Sequence, residues 1–156
     1  MRAVIQRVSR STVSVANEIV GRINAGLLIL LGVAVEDTRK DADYLAQKII
    51  NLRVFEDSSG KLNLSLKDTG FAMLVVSQFT LMADCRKGRR PSFSRAAPPE
   101  LARSLYEYFI DTVEQAGITT QSGRFRSRMA VALINDGPVT LIIDSRTENE
   151  TNNSSV

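Results

Sequence analysis

Residues 129–143 read Met129-Ala130-Val131-Ala132-Leu133-Ile134-Asn135-Asp136-Gly137-Pro138-Val139-Thr140-Leu141-Ile142-Ile143, two apolar runs interrupted by a Gly-Pro step. The flanking runs, about Met129 to Ile134 and Val139 to Ile143, have strand character and are expected to pair across the interruption. Proline removes a ladder donor and glycine admits backbone angles closed to other residues, so the interruption is a shaped turn. An X-Pro bond is also the peptide link that takes the cis form at least cost, and a cis form in a tight turn would fix the direction of two successive carbonyls. From these residues alone the turn is either an ordinary hairpin loop with a trans proline or a rigid backbone probe.

Outward from this stretch, strand and helix patterns alternate. Val4, Val8, Val13 and Val15 lie in short β-branched stretches, and Ala16-Asn17-Glu18 separates Ser11–Val15 from Ile19–Ile23 as a hairpin would. Leu27 to Val35 is apolar on both faces and predicts a central strand. A helix is expected from near Thr38, where Thr38 and Asp41 have capping-box spacing, to near Arg53, with Ala42, Leu45, Ala46 and Ile49 as its buried stripe. Val54-Phe55 is a short strand before the turn Asp57-Ser58-Ser59-Gly60, and Leu62, Leu64 and Leu66 alternate with polar residues in an extended segment. Phe71 to Gln78 predicts a further strong strand. Leu81 to Pro98 has no convincing period, and a loop of such length in a compact domain is functional or mobile, so part of the substrate surface is placed there. Pro99 suits the first turn of a second helix, with Leu101, Leu105, Tyr108, Phe109 and Val113 on one face and Gly117 as its stop.

These elements make one α/β domain over residues 1–146, with a largely antiparallel, partly barrel-like sheet and two main helices. A chain of 156 residues can bury a substantial core, and 44% hydrophobic with 24% charged residues is the composition of a soluble globular protein. Residues 147–156, rich in Asn, Ser, Thr and Glu, are expected to form a disordered tail. The longest run without a polar side chain, Ala25 to Val35, is too short to span a bilayer, and no export signal is visible, so a cytoplasmic protein without membrane association is expected. The single cysteine, Cys85, excludes an intrachain disulfide.

The absence of histidine excludes Ser-His-Asp and Cys-His hydrolase constellations and removes the usual nitrogen ligand of zinc; no metal or cofactor is implied. Any hydrolysis must use hydroxyls, backbone amides, carboxylates, lysine, water or a group on the substrate itself. The net charge is +3, and basic residues cluster at Arg86, Lys87, Arg89, Arg90 and Arg95. That cluster reads either as a phosphate-holding loop or as a solvated face.

Ser77-Gln78-Phe79-Thr80-Leu81, directly after the run Phe71 to Val76, is followed by Ala83-Asp84 and by Lys87-Gly88-Arg89-Arg90-Pro91-Ser92-Phe93. With Met1-Arg2-Ala3-Val4-Ile5-Gln6-Arg7-Val8 and Asn135 to Thr140, these segments resemble the D-aminoacyl-tRNA deacylases, formerly called D-tyrosyl-tRNA deacylases, over Met1 to about Asp144. The resemblance implies a homodimeric, RNA-binding carboxylic ester hydrolase of translation quality control. Its substrates would be D-aminoacyl-tRNA and glycyl-tRNA, including glycine mischarged on tRNA-Ala. It implies a cis Gly137-Pro138 turn that enters the partner's pocket as chirality selector, excluding an L side chain while glycine passes. Ser77, Gln78, Phe79 and Thr80 match the family's catalytic pocket strand, whose backbone amides are candidates for holding the ester oxygen.

Thr80 is an attractive nucleophile in that family, but no histidine can take its proton, and the ribose 2′-hydroxyl beside the ester is an alternative participant; substrate-assisted hydrolysis with Thr80 positioning is favoured. Without the resemblance, Thr80 is a strand-end residue satisfying backbone groups. Phe125 and Met129 align with positions near the terminal adenosine, core packing being the other reading. Arg126-Ser127 replaces the family's usual small pair after Phe125. Arg7 matches a position that braces the Gly-Pro turn, with an exposed strand arginine as the plain alternative, and within the basic loop Lys87, Arg89 and Arg90 are the expected tRNA phosphate contacts, on the clustering of their charge. Two other classes compete: a catalytically silent RNA-binding module, and a general esterase or peptidase using Ser77 or Thr80, which lacks both a base and a nucleophile-elbow pattern.

Overall fold

The computed structural model describes residues 1–146, so the reading of 147–156 as a disordered tail lies outside the described residues. Strand β1 (Arg2–Val15) turns through Ala16 and Asn17, both at positive φ (49° and 66°), into β2 (Glu18–Ile23). Two such residues make the two-residue loop whose twist matches a hairpin, with Asn17 at a position Asn tolerates well. β3 (Gly26–Gly32) follows, then helix α1 (Arg39–Ile50), the small hairpin β4 (Phe55–Glu56) and β5 (Leu62–Leu64), and the one-turn α2 (Leu66–Thr69). β6 (Ala72–Ser77) leads into a 3-10 turn (Phe79–Met82), and α3 (Pro99–Gln115), β7 (Thr120–Ser122) and β8 (Ala130–Asp144) complete the chain.

The expected α/β domain with two main helices is what forms, with α2 as a third, short helix. Leu66 is not part of the extended segment, because Ser65 caps a helix there: the Asp68 carboxylate accepts from the Ser65 N–H at 2.8 Å, and the Asp68 N–H donates to Ser65 Oγ. At the start of α1 the Asp41 carboxylate likewise accepts from the Thr38 N–H at 2.8 Å. No helix among the described residues is long and apolar enough to cross a membrane.

The sheet runs β2-β1-β3-β6-β7, with β8 against the other edge of β1. β1 is long enough to pair with β3 through residues 2–8 and with β2 through 11–15, while β8 follows it over nearly its whole length. β3 is therefore central, antiparallel to β1 and parallel to β6. The sheet curls until β2 meets β7: a Cβ on Gly21 would stand 2.7 Å from the Ser122 carbonyl oxygen. Leu27, Ile29 and Leu31 face a core shared with α1 and α3, whereas Leu28 joins Val8, Val13, Ile23, Leu74 and Val76 inside the curl. Burying both faces explains the unbroken apolar run of this strand.

The C-terminal stretch differs from expectation. Residues 129–143 form no hairpin of two strands paired with each other; both halves belong to β8 and pair antiparallel with β1. Asn135 is opposite Val8 and Thr140 opposite Gln6, so residues 136–139 are extruded from one continuous strand as an enlarged bulge.

Candidate active site

β6 delivers Ser77 opposite Leu31 of β3, and the next residue leaves the ladder after its N–H donates to the Leu31 carbonyl at 2.8 Å. The chain then winds into the 3-10 turn, packed so closely on β3 that a Cβ on Gly32 would lie 3.0 Å from the Gln78 carbonyl oxygen. A side chain there would push the turn back by a few tenths of an ångström. Beside this corner opens a cavity of about 580 Å³ lined by Ser77, Gln78 and Phe79 on one side and by Phe125, Arg126, Ser127, Arg128 and Met129 on the other, with Pro99 and Ala102 of α3 closing an end. Phe125 leans on Tyr106 with ring centroids 5.7 Å apart, and the Arg103 guanidinium lies 5.2 Å from its ring centroid. Tyr106 is itself fixed by donating to the Val75 carbonyl at 2.9 Å, and burial pushes its hydroxyl pKa up to about 12. Phe125 and Met129 thus line the cavity and also pack against the core, so the two readings of these residues are not exclusive.

Thr80 is exposed and stands outside the lining; its Oγ1 accepts a hydrogen bond from the Gln78 side-chain amide. An amide N–H supplies a proton and removes none, so nothing in this contact activates the hydroxyl. Arg126 adopts a left-handed conformation (φ 61°) in a turn closed by the Ser127 N–H donating to the Arg124 carbonyl.

The segment 81–98, aperiodic in sequence, is a long loop tied down at intervals. Asp84 and Ser92 exchange backbone hydrogen bonds at 2.8 and 2.9 Å, Gly88 (φ 70°) lies between them, and the Ala97 N–H donates to Val33. Phe93 packs edge-on against Phe79 with centroids 5.1 Å apart, which anchors the loop to the corner of the cavity. Arg86 forms a two-pronged contact with Asp84 at 2.9 and 2.6 Å, and its guanidinium holds the Asp84 carboxyl far below the usual carboxylate range. Lys87, Arg89 and Arg90 sit exposed between the two anchor points.

Gly137 and Pro138 line no part of this cavity; their peptide bond is cis, and both residues are exposed on the extruded bulge. Arg7 is buried at 7% exposure, which overturns its reading as an exposed strand arginine. Its Nε donates to the Asp136 carbonyl at 2.8 Å and its Nη1 to the Val54 carbonyl at 2.7 Å, tying the foot of the bulge to the segment before β4. Gly137 (φ 131°) has no room for a side chain, since a Cβ would come within 2.8 Å of Arg7 Nη2 and 2.9 Å of Val139 Cγ2. The structure therefore brings Ser77, Gln78, Phe79, Phe125 and Met129 together and leaves Gly137, Pro138 and Arg7 at a separate place on the same chain. Sequence reasoning missed Tyr106 and Arg103, the two residues that pack on Phe125.

The family model described as D-Tyr-tRNA(Tyr) deacylase matches residues 4–144. A D-aminoacyl-tRNA deacylase of Desulfatibacillum aliphaticivorans is 61% identical over 146 residues, covering 94% of this chain and all of that protein. A solved structure described as c-Myc DNA Unwinding Element Binding Protein is 40% identical with a TM-score of 0.89, covering 94% of this chain and all of that one. Another, described as a probable eukaryotic D-amino acid tRNA deacylase, shares the fold at 18% identity and a TM-score of 0.80 over 92% of this chain and 98% of its own. A match this long, in which the Ser77–Thr80 corner and the Gly137-Pro138 bulge both lie, places the chain in the D-Tyr-tRNA(Tyr) deacylase family.

Proposed function

We propose that the chain hydrolyses the ester of D-aminoacyl-tRNA and of glycyl-tRNA, including glycine on tRNA-Ala, and spares L-aminoacyl-tRNA. The observation that carries this reading is the cavity that gathers Ser77, Gln78, Phe79, Phe125 and Met129 in a chain 61% identical to a D-aminoacyl-tRNA deacylase. The opening N–H groups of the 3-10 turn, Phe79 and Thr80, have no intrahelical acceptor by position, and they would receive the oxygen on which charge develops. With no histidine in the chain and Thr80 tied to an amide donor, the 2′-hydroxyl of the terminal ribose is the favoured internal participant. Phe125 and Met129 would pack on the adenine, and Lys87, Arg89 and Arg90 would hold phosphates.

Handedness is set by a second copy of the chain. Gly137 and Pro138 stand clear of their own cavity, and β8, the last strand on its side of β1, leaves Ile134, Leu141 and Ile142 exposed along its edge, the last at 65%. A homodimer that covers this apolar edge would let the bulge of each subunit enter the cavity of the other. A fixed backbone wall there rejects an L side chain sterically, while glycine, having none, passes. Paired deacylation assays with D-, L- and glycyl-tRNA test the reading: hydrolysis of the D and glycyl esters with L-aminoacyl-tRNA left intact is expected, and equal hydrolysis of D and L esters would refute it.

A nucleic-acid-binding module without catalysis is the second reading, favoured by the 40% identical structure named for DNA binding. Binding of tRNA with no ester hydrolysis in the same assays would select it.

A further inference from the structure

The ladder with β1 fixes Asn135 and Thr140, one on each side of the extrusion, but leaves the four residues between them to other restraints. Arg7 supplies one, at the Asp136 carbonyl. The other comes from the neck itself. Asn135 Oδ1 accepts from the Val139 N–H at 2.9 Å, and Asn135 Nδ2 donates to Thr140 Oγ1 at 2.8 Å, which also accepts from Gln6 Nε2 at 3.4 Å. The orientation of the Asn135 amide follows from chemistry: a backbone N–H can only donate, so the carbonyl oxygen must face Val139 and the NH2 must face Thr140. One side chain thus bridges both strands of the neck and holds the return leg of the bulge one residue after Pro138.

We propose that Asn135, with Thr140 as its anchor, is a positioning residue for stereochemical selection: it holds the Gly137-Pro138 backbone in the one placement that can act as a wall. The proposal rests on the selector reading of Gly137 and Pro138 above. A wall discriminates only as sharply as it is fixed, because a carbonyl free to swing by an ångström yields to the side chain it should exclude. A residue acting this way leaves the reacting atoms untouched, so its loss should admit L substrates rather than simply slow the D reaction.

The test uses the full chain with Asn135→Ala, Asn135→Asp, Thr140→Val and Thr140→Ser, each checked for fold and association state. The readouts are kcat/KM for D- and L-aminoacyl-tRNA and hydrogen exchange of the Val139 amide. Asn135→Ala removes both contacts and should lower the D-over-L ratio roughly tenfold, the scale of one to two net hydrogen bonds, while accelerating Val139 exchange. Thr140→Val should do the same in weaker form. Thr140→Ser keeps the hydroxyl, and Asn135→Asp keeps an acceptor for Val139 and offers the Thr140 hydroxyl a carboxylate to donate to, so both should restore most of the ratio. An Asn135→Ala protein that is folded, exchanges Val139 rapidly and still discriminates as well as wild type overturns the positioning role. A wild-type protein with no preference for D over L would instead sink the functional reading, and the selective role with it. If Asn135→Ala loses the fold, Thr140→Val against Thr140→Ser decides the matter by the same ratio.

Discussion

Thr80 shows how far one hydroxyl can be read from its neighbours. Its Oγ1 is the acceptor in a contact with the Gln78 amide, and the chain contains no histidine that could take its proton. A nucleophilic threonine needs a base within reach, and this one faces a donor. Thr80→Ala is therefore expected to lose only about two- to tenfold in deacylation, the scale of one hydrogen bond. A substrate ending in 2′-deoxyadenosine should lose roughly a hundredfold or more, the scale of a general acid-base contribution. Single-turnover rates on the two substrates check this, and a covalent aminoacyl adduct trapped on Thr80 would contradict it. Arg7 makes the complementary point: a charged side chain is buried because two backbone carbonyls, of Asp136 and Val54, need its N–H groups.

At the scale of elements, β8 and the 81–98 loop each turn an apparent irregularity into placement. β8 keeps pairing with β1 on both sides of its bulge, so the excursion is carried by a rigid ladder instead of hanging from a free hairpin end. The loop is held by the Asp84–Ser92 pairing, by the Phe93–Phe79 contact and by the hydrogen bond from Ala97 to Val33, which leaves Lys87, Arg89 and Arg90 exposed on the span between Asp84 and Ser92. Replacing Arg89 and Arg90 together by Ala should weaken tRNA binding and reduce the slope of log K against log salt by about 1.4 to 1.8, if each arginine neutralises one phosphate. The D-over-L ratio should stay as it is, since phosphate contacts position the substrate without reading handedness. Binding measured across a salt series decides; an unchanged slope would assign both residues to the solvated face.

For the whole molecule, the separation between the Ser77 cavity and the Gly137-Pro138 bulge within one chain makes association the central question. Ile142 of the edge strand β8 lies opposite Val4 and is 65% exposed. In an isolated chain Ile142→Asp is a surface change, worth within about 0.5 kcal/mol of folding stability. In the proposed homodimer it buries an unpaired charge, and dimer affinity should fall by roughly a hundredfold or more, with activity falling in parallel. Sedimentation and deacylation at matched concentrations test this, and a monomer with full activity would overturn the crossed-subunit reading.

Features that depend on near neighbours were legible along the chain. The capping spacing of Thr38 and Asp41, the hairpin at Ala16-Asn17, the two-faced apolar run of β3 and the stripes of α1 and α3 are all local patterns, and the lack of histidine limited the chemistry before any fold was known. In α3 the periodicity put Tyr108 on the buried side and passed over Tyr106, whereas the structure buries Tyr106 and leaves Tyr108 half-buried. Only the packing separated them, Tyr106 donating to Val75 of the sheet and Tyr108 to Asp43 of α1. The stretch 129–143 met the same limit. Two apolar runs around a Gly-Pro step look alike whether they pair with each other or both pair with a third strand, and β1, their partner, lies at the other end of the chain. The tertiary structure decided that pairing, the burial of Arg7 and the meeting of Ser77 with Phe125, because each depends on contacts between distant segments, to which local periodicity is blind.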